Sequence, residues 1–185
     1  MIGRLKQWMQ GGATPQGQGD ADGLRVLMVC MGNICRSPTA EGVLRDRLRR
    51  AGLQQQVVVD SAGTLDHHAG EPPDPRAQRH AAQRGYDLSA QRARAVRGED
   101  FSHFHWVLAM DEDNLAWLQR KAPPGSAARV ELLMPYARRH PGVLAVPDPY
   151  YGPAAGFERV LDLVEDACDG LVARLQAELE TRRQG

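Results

Sequence analysis

Cysteine is scarce in this chain: three among 185 residues, and an odd number. That excludes a disulfide framework and fits a reducing compartment, so a cytoplasmic location is expected. Net charge is missing too, because 23 Lys and Arg balance 23 Asp and Glu. No overall field argues for a nucleic-acid partner or a membrane-coating role. Nowhere does an apolar run approach the ~18 residues that cross a bilayer, so stable membrane insertion is not expected. The opening residues MIGRLKQWMQ lack an apolar stretch followed by a small-residue cleavage site, and do not read as a secretory signal. Residues 11–23 lack apolar periodicity and are rich in Gly, Gln and Asp, so residues 1–23 read as a flexible N-terminal extension.

What remains, residues 24–185, has the length of one domain. LRVLMVC is a continuous apolar run of strand length, as expected for a strand covered on both faces. Ser37-Pro38 opens a helical pattern carrying Val43, Leu44, Leu48 and Ala51, which stops at Gly52. VVVDSAG reads as a second strand. Asp74, Pro75 and Gly85 bracket another helix as N-cap, first turn and terminator. HWVLAM and RVELLM read as strands, with the helix DEDNLAWLQRKA after the first of them. From Phe157 onward apolar residues recur every three or four positions, which predicts a long amphipathic helix. Strands alternating with helices imply an α/β domain: a central parallel sheet of about four strands with helices on both faces. In such folds ligands bind beyond the C-terminal strand ends, and the turn after the first strand lies there.

That turn reads VCMGNICRSPTAEG and holds two of the three cysteines. Cys30, five residues from Met31 to Cys35, then Arg36 and Ser37 form a C-x5-R-S loop between strand and helix. Backbone N–H groups of such a loop and of the helix N-terminus can converge on one anion. Gly32 permits positive φ and Asn33 tolerates it, so the expectation is that both let the backbone curl inward. Arg36 offers a planar fork matched to two phosphate oxygens. Cys30 at the base of this cup sits in a positive field that favours the thiolate, an in-line nucleophile toward a bound phosphate. Ser37 is placed to hydrogen-bond that sulfur. A zinc site needs about four ligands, and no second Cys/His pair completes one, so no metal is expected. A nucleotide P-loop needs a G-K-[ST] ending that is absent here. Two buried structural cysteines explain Cys35 but leave Gly32, Arg36 and Ser37 without a reason.

The stretch VCMGNICRSPTAEGVL resembles the signature loop of the low-molecular-weight protein tyrosine phosphatases, in a bacterial-type member. DSAGT, PPDPRA, MDEDNL and DPYYG resemble further family segments in order, and the likeness spans roughly residues 24–182. It implies hydrolysis of phosphotyrosine through a phosphocysteine intermediate, without metal or cofactor. Cys30 is then the nucleophile, Arg36 and the loop residues Met31, Gly32, Asn33, Ile34, Cys35 and Ser37 hold the phosphoryl group, and Asp148 is general acid and base. On local sequence alone Asp148 reads equally well as an Asx turn before Pro149.

The resemblance places Tyr150 and Tyr151 at the cleft mouth, one lining it and the other packing. His67 falls at the opposite wall, where a solvated loop histidine is an equal reading. Asn33 and Ser61 match family residues that hold the loop in shape. Asp111 matches a similar support or is a helix N-cap. Gln91 replaces a histidine that in many members bonds the loop asparagine, and Arg94 matches a basic residue close after it. Cys35 corresponds to a cysteine that pairs with the nucleophile under oxidants; Cys168 reads as core. The resemblance extends to partners: a phosphotyrosine-bearing protein, in bacteria often a tyrosine kinase of polysaccharide export.

Three rival functions share the scaffold. An arsenate reductase needs a further cysteine pair in mid-chain, and residues 36–167 contain no cysteine. A silent phospho-protein binding module would have lost Cys30, Arg36 or Asp148. A phosphoarginine phosphatase usually carries a small residue at the position of Ile34 and lacks the paired tyrosines.

Overall fold

A computed structural model describes residues 23–184. The expected N-terminal extension falls, but for Gly23, outside the described residues. The apolar run Leu24–Cys30 is strand β1, and Val57–Gly63 is β2. Trp106–Ala109 is β3 and Arg129–Leu132 is β4, each shorter than its apolar run in the sequence. All pairings are parallel, and the order is β2-β1-β3-β4. β1 is central, and the chain leaves it toward β2 on one side and β3 on the other. The C-terminal end of β1 is therefore the switch point where a crevice opens.

Helix α1 (Arg36–Arg50) begins one residue after the β1–α1 turn closes, and Gly52 ends that segment at φ 71°. Helix α2 (Pro75–Gln83) is capped by Asp74, which accepts from the Arg76 N–H at 2.8 Å. A short α3 (Asp100–His103) carries too few residues for a periodic signal. Helix α4 (Glu112–Lys121) is capped by Asp111. Helix α5 (Ala155–Gln184) runs past both ends of its apolar stripe, its last turn polar.

Strand parity sorts the core into two layers. Val26, Met28 and Cys30 face α1 and α5, with Trp106, Leu108 and Met110 beside them. Leu27 and Val29 face the other way, with Val107, Ala109 and Leu118 of α4. Helices thus cover both faces of the sheet. Cys30 belongs by parity to the α1 side, which aims its sulfur at the start of that helix. Cys168 is fully buried on α5, as core. Gly170 lets α5 press onto the Met134–Tyr136 turn: a Cβ there would stand 1.9 Å from the Tyr136 carbonyl oxygen. Among the described residues no helix is long and apolar enough to cross a membrane.

Candidate active site

The loop after β1 is fastened along its backbone. The Cys30 carbonyl accepts from the Thr64 N–H at 2.9 Å and the Met31 carbonyl from Leu65 at 3.0 Å. Ile34 accepts from the Asp74 N–H at 2.8 Å, which joins the loop to the cap of α2. The inward curl rests on Asn33 alone, at φ 56°; Gly32 does not adopt positive φ, contrary to the expectation from sequence. At Gly32 the approach is tight instead, since a Cβ would stand 3.2 Å from His68 Cδ2 and that ring would have to give way. Gly63, at the end of β2, is held more tightly: its Cβ would lie 2.7 Å from the Met31 oxygen. Nothing in the sequence distinguished that glycine from an ordinary turn residue.

Cys30 is buried, with two donors aimed at its sulfur. The Asn33 N–H lies 3.3 Å away and the Ser37 hydroxyl 3.0 Å away. Asn33 Nδ2 donates to Ser37 Oγ at 2.8 Å and to Ser61 Oγ at 2.9 Å, which leaves the Ser37 hydroxyl hydrogen to the sulfur at 3.0 Å or the Ala62 carbonyl at 3.4 Å; a thiolate, as acceptor only, draws it to the sulfur. Ser61 in turn donates to Glu41. Burial pushes the Glu41 carboxyl up to about 7, against the pull of Arg45 and of the Ser61 hydrogen bond. A polar chain thus runs from Glu41 through Ser61, Asn33 and Ser37 to the sulfur. Glu41, the link that sequence reasoning did not single out, lies in the second turn of α1. The α1 N-terminus adds N–H groups with no partner inside the helix, and the positive end of its dipole.

Gln91 does not hold the loop asparagine. Its Nε2 donates to the Pro38 carbonyl at 3.0 Å, and its Oε1 is buried without a partner. The Asn33 Oδ1 accepts instead from the backbone N–H of Arg94 at 2.9 Å. Arg94 is pinned for this by Asp60 at 2.8 Å and Asp100 at 2.9 Å. A main-chain donor has replaced a side-chain one, which residue identity does not reveal.

Arg36 is 2% exposed and makes three hydrogen bonds through its two Nη groups. Its Nη1 donates to Asp111 and to the Val146 carbonyl at 3.2 Å, and its Nη2 lies 3.3 Å from Asp148 Oδ2. Burial opposes the guanidinium charge, but Cys30, Asp111 and Asp148 outweigh it and hold its pKa above the usual arginine range. Asp111 both accepts from Arg36 and caps α4 through the Asn114 N–H at 2.7 Å. Asp148 likewise does two things. Its Oδ1 accepts from Tyr150 N–H at 3.1 Å, an Asx turn, while its half-exposed Oδ2 faces Arg36 and the cleft.

The cleft over Cys30 has a floor of loop residues, including Ile34, Cys35 and Arg36, with Met31 and Gly32 at its rim. Asp148, Tyr150 and Tyr151 form one wall; Leu65, His67 and His68 form the other. His68 is the better-buried histidine, packed on Gly32 and 6.5 Å from the Tyr150 ring. The family resemblance singled out His67, which lines the same wall; His68 beside it was not singled out, because loop residues have no facing parity to read. Tyr150 is 37% exposed and Tyr151 96%, and their rings meet edge to face at 4.8 Å. Asn33, Ser37 and Ser61 lie beneath the floor. Burial pushes the Cys35 thiol far above the ordinary range, and Asp74, Cys30 and Asp148 add to it. Cys35 is therefore a neutral thiol beside Cys30.

The comparisons with known proteins point one way. A sequence model described as "Low molecular weight phosphotyrosine protein phosphatase" matches residues 25–181. A low molecular weight protein-tyrosine-phosphatase of Streptomyces coelicolor is 46% identical over 160 residues, covering 85% of this chain and 97% of that protein. A protein tyrosine phosphatase from Entamoeba histolytica superposes with TM-score 0.81 at 36% identity, over 84% of this chain and 98% of the other. A Drosophila arginine phosphatase also superposes, with TM-score 0.77 at 30% identity, over 82% and 97%. With the fold, the loop and these likenesses in agreement, the chain belongs to the low molecular weight phosphotyrosine protein phosphatase family.

Proposed function

We propose that this protein hydrolyses phosphotyrosine on protein substrates through a phosphocysteine formed on Cys30. The observation that carries this reading is the sulfur of Cys30, buried under two donors and facing a cleft shared by Arg36 and Asp148. The Cys30 thiolate attacks phosphorus in line, forming an S–P bond as the P–O bond to tyrosine breaks. Asp148 gives its proton to the departing phenolic oxygen, which leaves as tyrosine. Water then attacks phosphorus, Asp148 takes its proton, and the S–P electrons return to Cys30, stabilised by Ser37 and Asn33. Arg36 and the loop N–H groups hold the phosphoryl oxygens throughout.

The scaffold alone does not choose the substrate, since an arginine phosphatase shares it. The bulky Ile34 on the floor and the rings of Tyr150 and Tyr151 on the wall favour an aryl phosphate here. Residues 24–185 are the phosphatase domain in this reading, residues 1–23 an extension of it. The setting we propose is cytoplasmic, with a tyrosine kinase of polysaccharide export as one substrate; that part rests on resemblance only.

The test compares phosphotyrosine, phosphoserine and phosphoarginine peptides, with chelator present. Phosphotyrosine turnover is expected to survive the chelator and to exceed the other two by orders of magnitude. In Asp148→Ala it is expected to fall on the order of 10²- to 10³-fold, the usual contribution of a general acid. Comparable phosphoserine or phosphoarginine rates would sink the substrate class, and abolition by chelator would sink the metal-free mechanism.

Cys35 gives a second measurable consequence. Peroxide should convert Cys30 to a sulfenic acid; the Cys35 sulfur then attacks the Cys30 sulfur, the S–OH bond breaks, and the hydroxide leaves with the thiol proton as water, forming a reversible disulfide. Peptide mapping after brief peroxide treatment is expected to show a Cys30–Cys35 bridge; sulfinic acid at Cys30 with no bridge contradicts it.

A further inference from the structure

Arg76, which the steps above do not use, sits where three parts of the site meet. It is the second residue of α2, with its side chain about one-third exposed. Its Nε and Nη2 grip Asp74 at 3.0 and 2.7 Å, which fixes the plane of the guanidinium. Asp74 is itself fastened to the phosphate loop through the Ile34 carbonyl, 2.8 Å from its N–H. The remaining nitrogen, Nη1, donates to the Tyr150 carbonyl at 3.1 Å. The N–H of that same Tyr150 donates to Asp148 Oδ1 at 3.1 Å. The guanidinium also lies 5.5 Å from the Tyr150 ring centre and 4.8 Å from that of Phe157, at the start of α5.

Among the described residues, side-chain hydrogen bonds from elsewhere in the chain reach residues 148–152 through Arg36 and Arg76. Arg36 has to turn its donors to the phosphoryl group when substrate binds. Arg76 is not among the residues lining the cleft, and its grip on Asp74 and Tyr150 does not compete with the phosphoryl group. We propose that Arg76 is a positioning residue that holds the Asp148–Tyr150 segment at the reach proton transfer to the leaving group requires. This inference rests on the acid role given to Asp148 above.

Proton transfer matters in proportion to how poorly a phenol leaves as its anion. Phenyl phosphate needs the proton; 2,4-dinitrophenyl phosphate departs without it. The ratio kcat/KM reports the steps up to the first P–O cleavage, so it isolates this difference. A merely structural loss would lower both esters together.

The experiment measures kcat/KM on both esters for wild type, Arg76→Ala, Arg76→Lys and Asp148→Ala, with thermal melts as a folding control. Arg76→Ala is expected to lose about tenfold on phenyl phosphate, the scale of a misplaced catalytic group. On 2,4-dinitrophenyl phosphate it is expected to stay within about twofold of wild type. Arg76→Lys keeps the charge but not the two-pronged grip, so it should fall between, and it carries the test alone if the alanine variant does not fold. Equal losses on both esters, or none on either, beside a leaving-group-selective Asp148→Ala, overturn the positioning role alone. A non-selective Asp148→Ala overturns the acid assignment and this inference with it.

Discussion

Cys30→Ser is expected to remove phosphotyrosine turnover almost entirely, on the order of 10⁴-fold or more, as loss of a nucleophile does elsewhere. The substitution changes one atom in a buried site and conserves shape. A serine oxygen accepts the same hydrogen bonds from Asn33 N–H and Ser37 that the sulfur does. Folding and phosphate binding should therefore persist. What disappears is the nucleophile, because a hydroxyl is not ionised near neutrality and the site offers no base for it. Asp148 belongs to the leaving group in the first step, and the Ser37 oxygen is already taken as acceptor by Asn33 Nδ2. The variant should bind a phosphotyrosine peptide with near wild-type affinity and release no phosphate. Steady-state phosphate release alongside titration calorimetry separates the two, and turnover within about tenfold of wild type would remove Cys30 from its role.

How much of this was legible beforehand follows from which physical signals are local. β1 was readable to the residue because it is an apolar run buried on two faces, and β2 because three valines lead into a turn. α2 was legible from its cap and its first-turn proline. The Cys30, Arg36 and Ser37 constellation was legible because a strand–loop–helix junction sets its geometry within eight residues. Long-range backbone contacts were not. That Arg94 N–H rather than Gln91 holds Asn33 depends on where a distant loop passes, and an N–H is the same in every residue. The positive φ fell on Asn33 rather than Gly32 because the turn needed one reversal, and both residues permit it. His68 rather than His67 against Gly32 is likewise a loop orientation with no periodicity behind it. Arg76 was passed over for a similar reason. In sequence it is one more basic residue on a helix, and only the fold brings Tyr150 to it.

Arg36→Lys should fall nearly as far as Cys30→Ser, although it keeps the charge. In the structure one guanidinium meets Asp111, the Val146 carbonyl and Asp148 at once, in a plane that a single ammonium cannot span. The same fork is what matches two oxygens of a phosphoryl group, and the planar array is complementary to the trigonal oxygens of the transition state. Lysine would place a shorter point charge in a pocket where Arg36 is 2% exposed, and would leave Asp111 short of its partner. We expect kcat/KM on a phosphotyrosine peptide to drop by about 10³-fold, equivalent to roughly 4 kcal/mol of transition-state stabilisation. Inhibition by inorganic phosphate should weaken as well, since the product shares the fork with the substrate. Because charge is conserved, that result would assign the effect to geometry rather than to electrostatic attraction. A lysine variant within about fivefold of wild type would mean that a positive charge suffices and that the loop N–H groups alone orient the phosphoryl group.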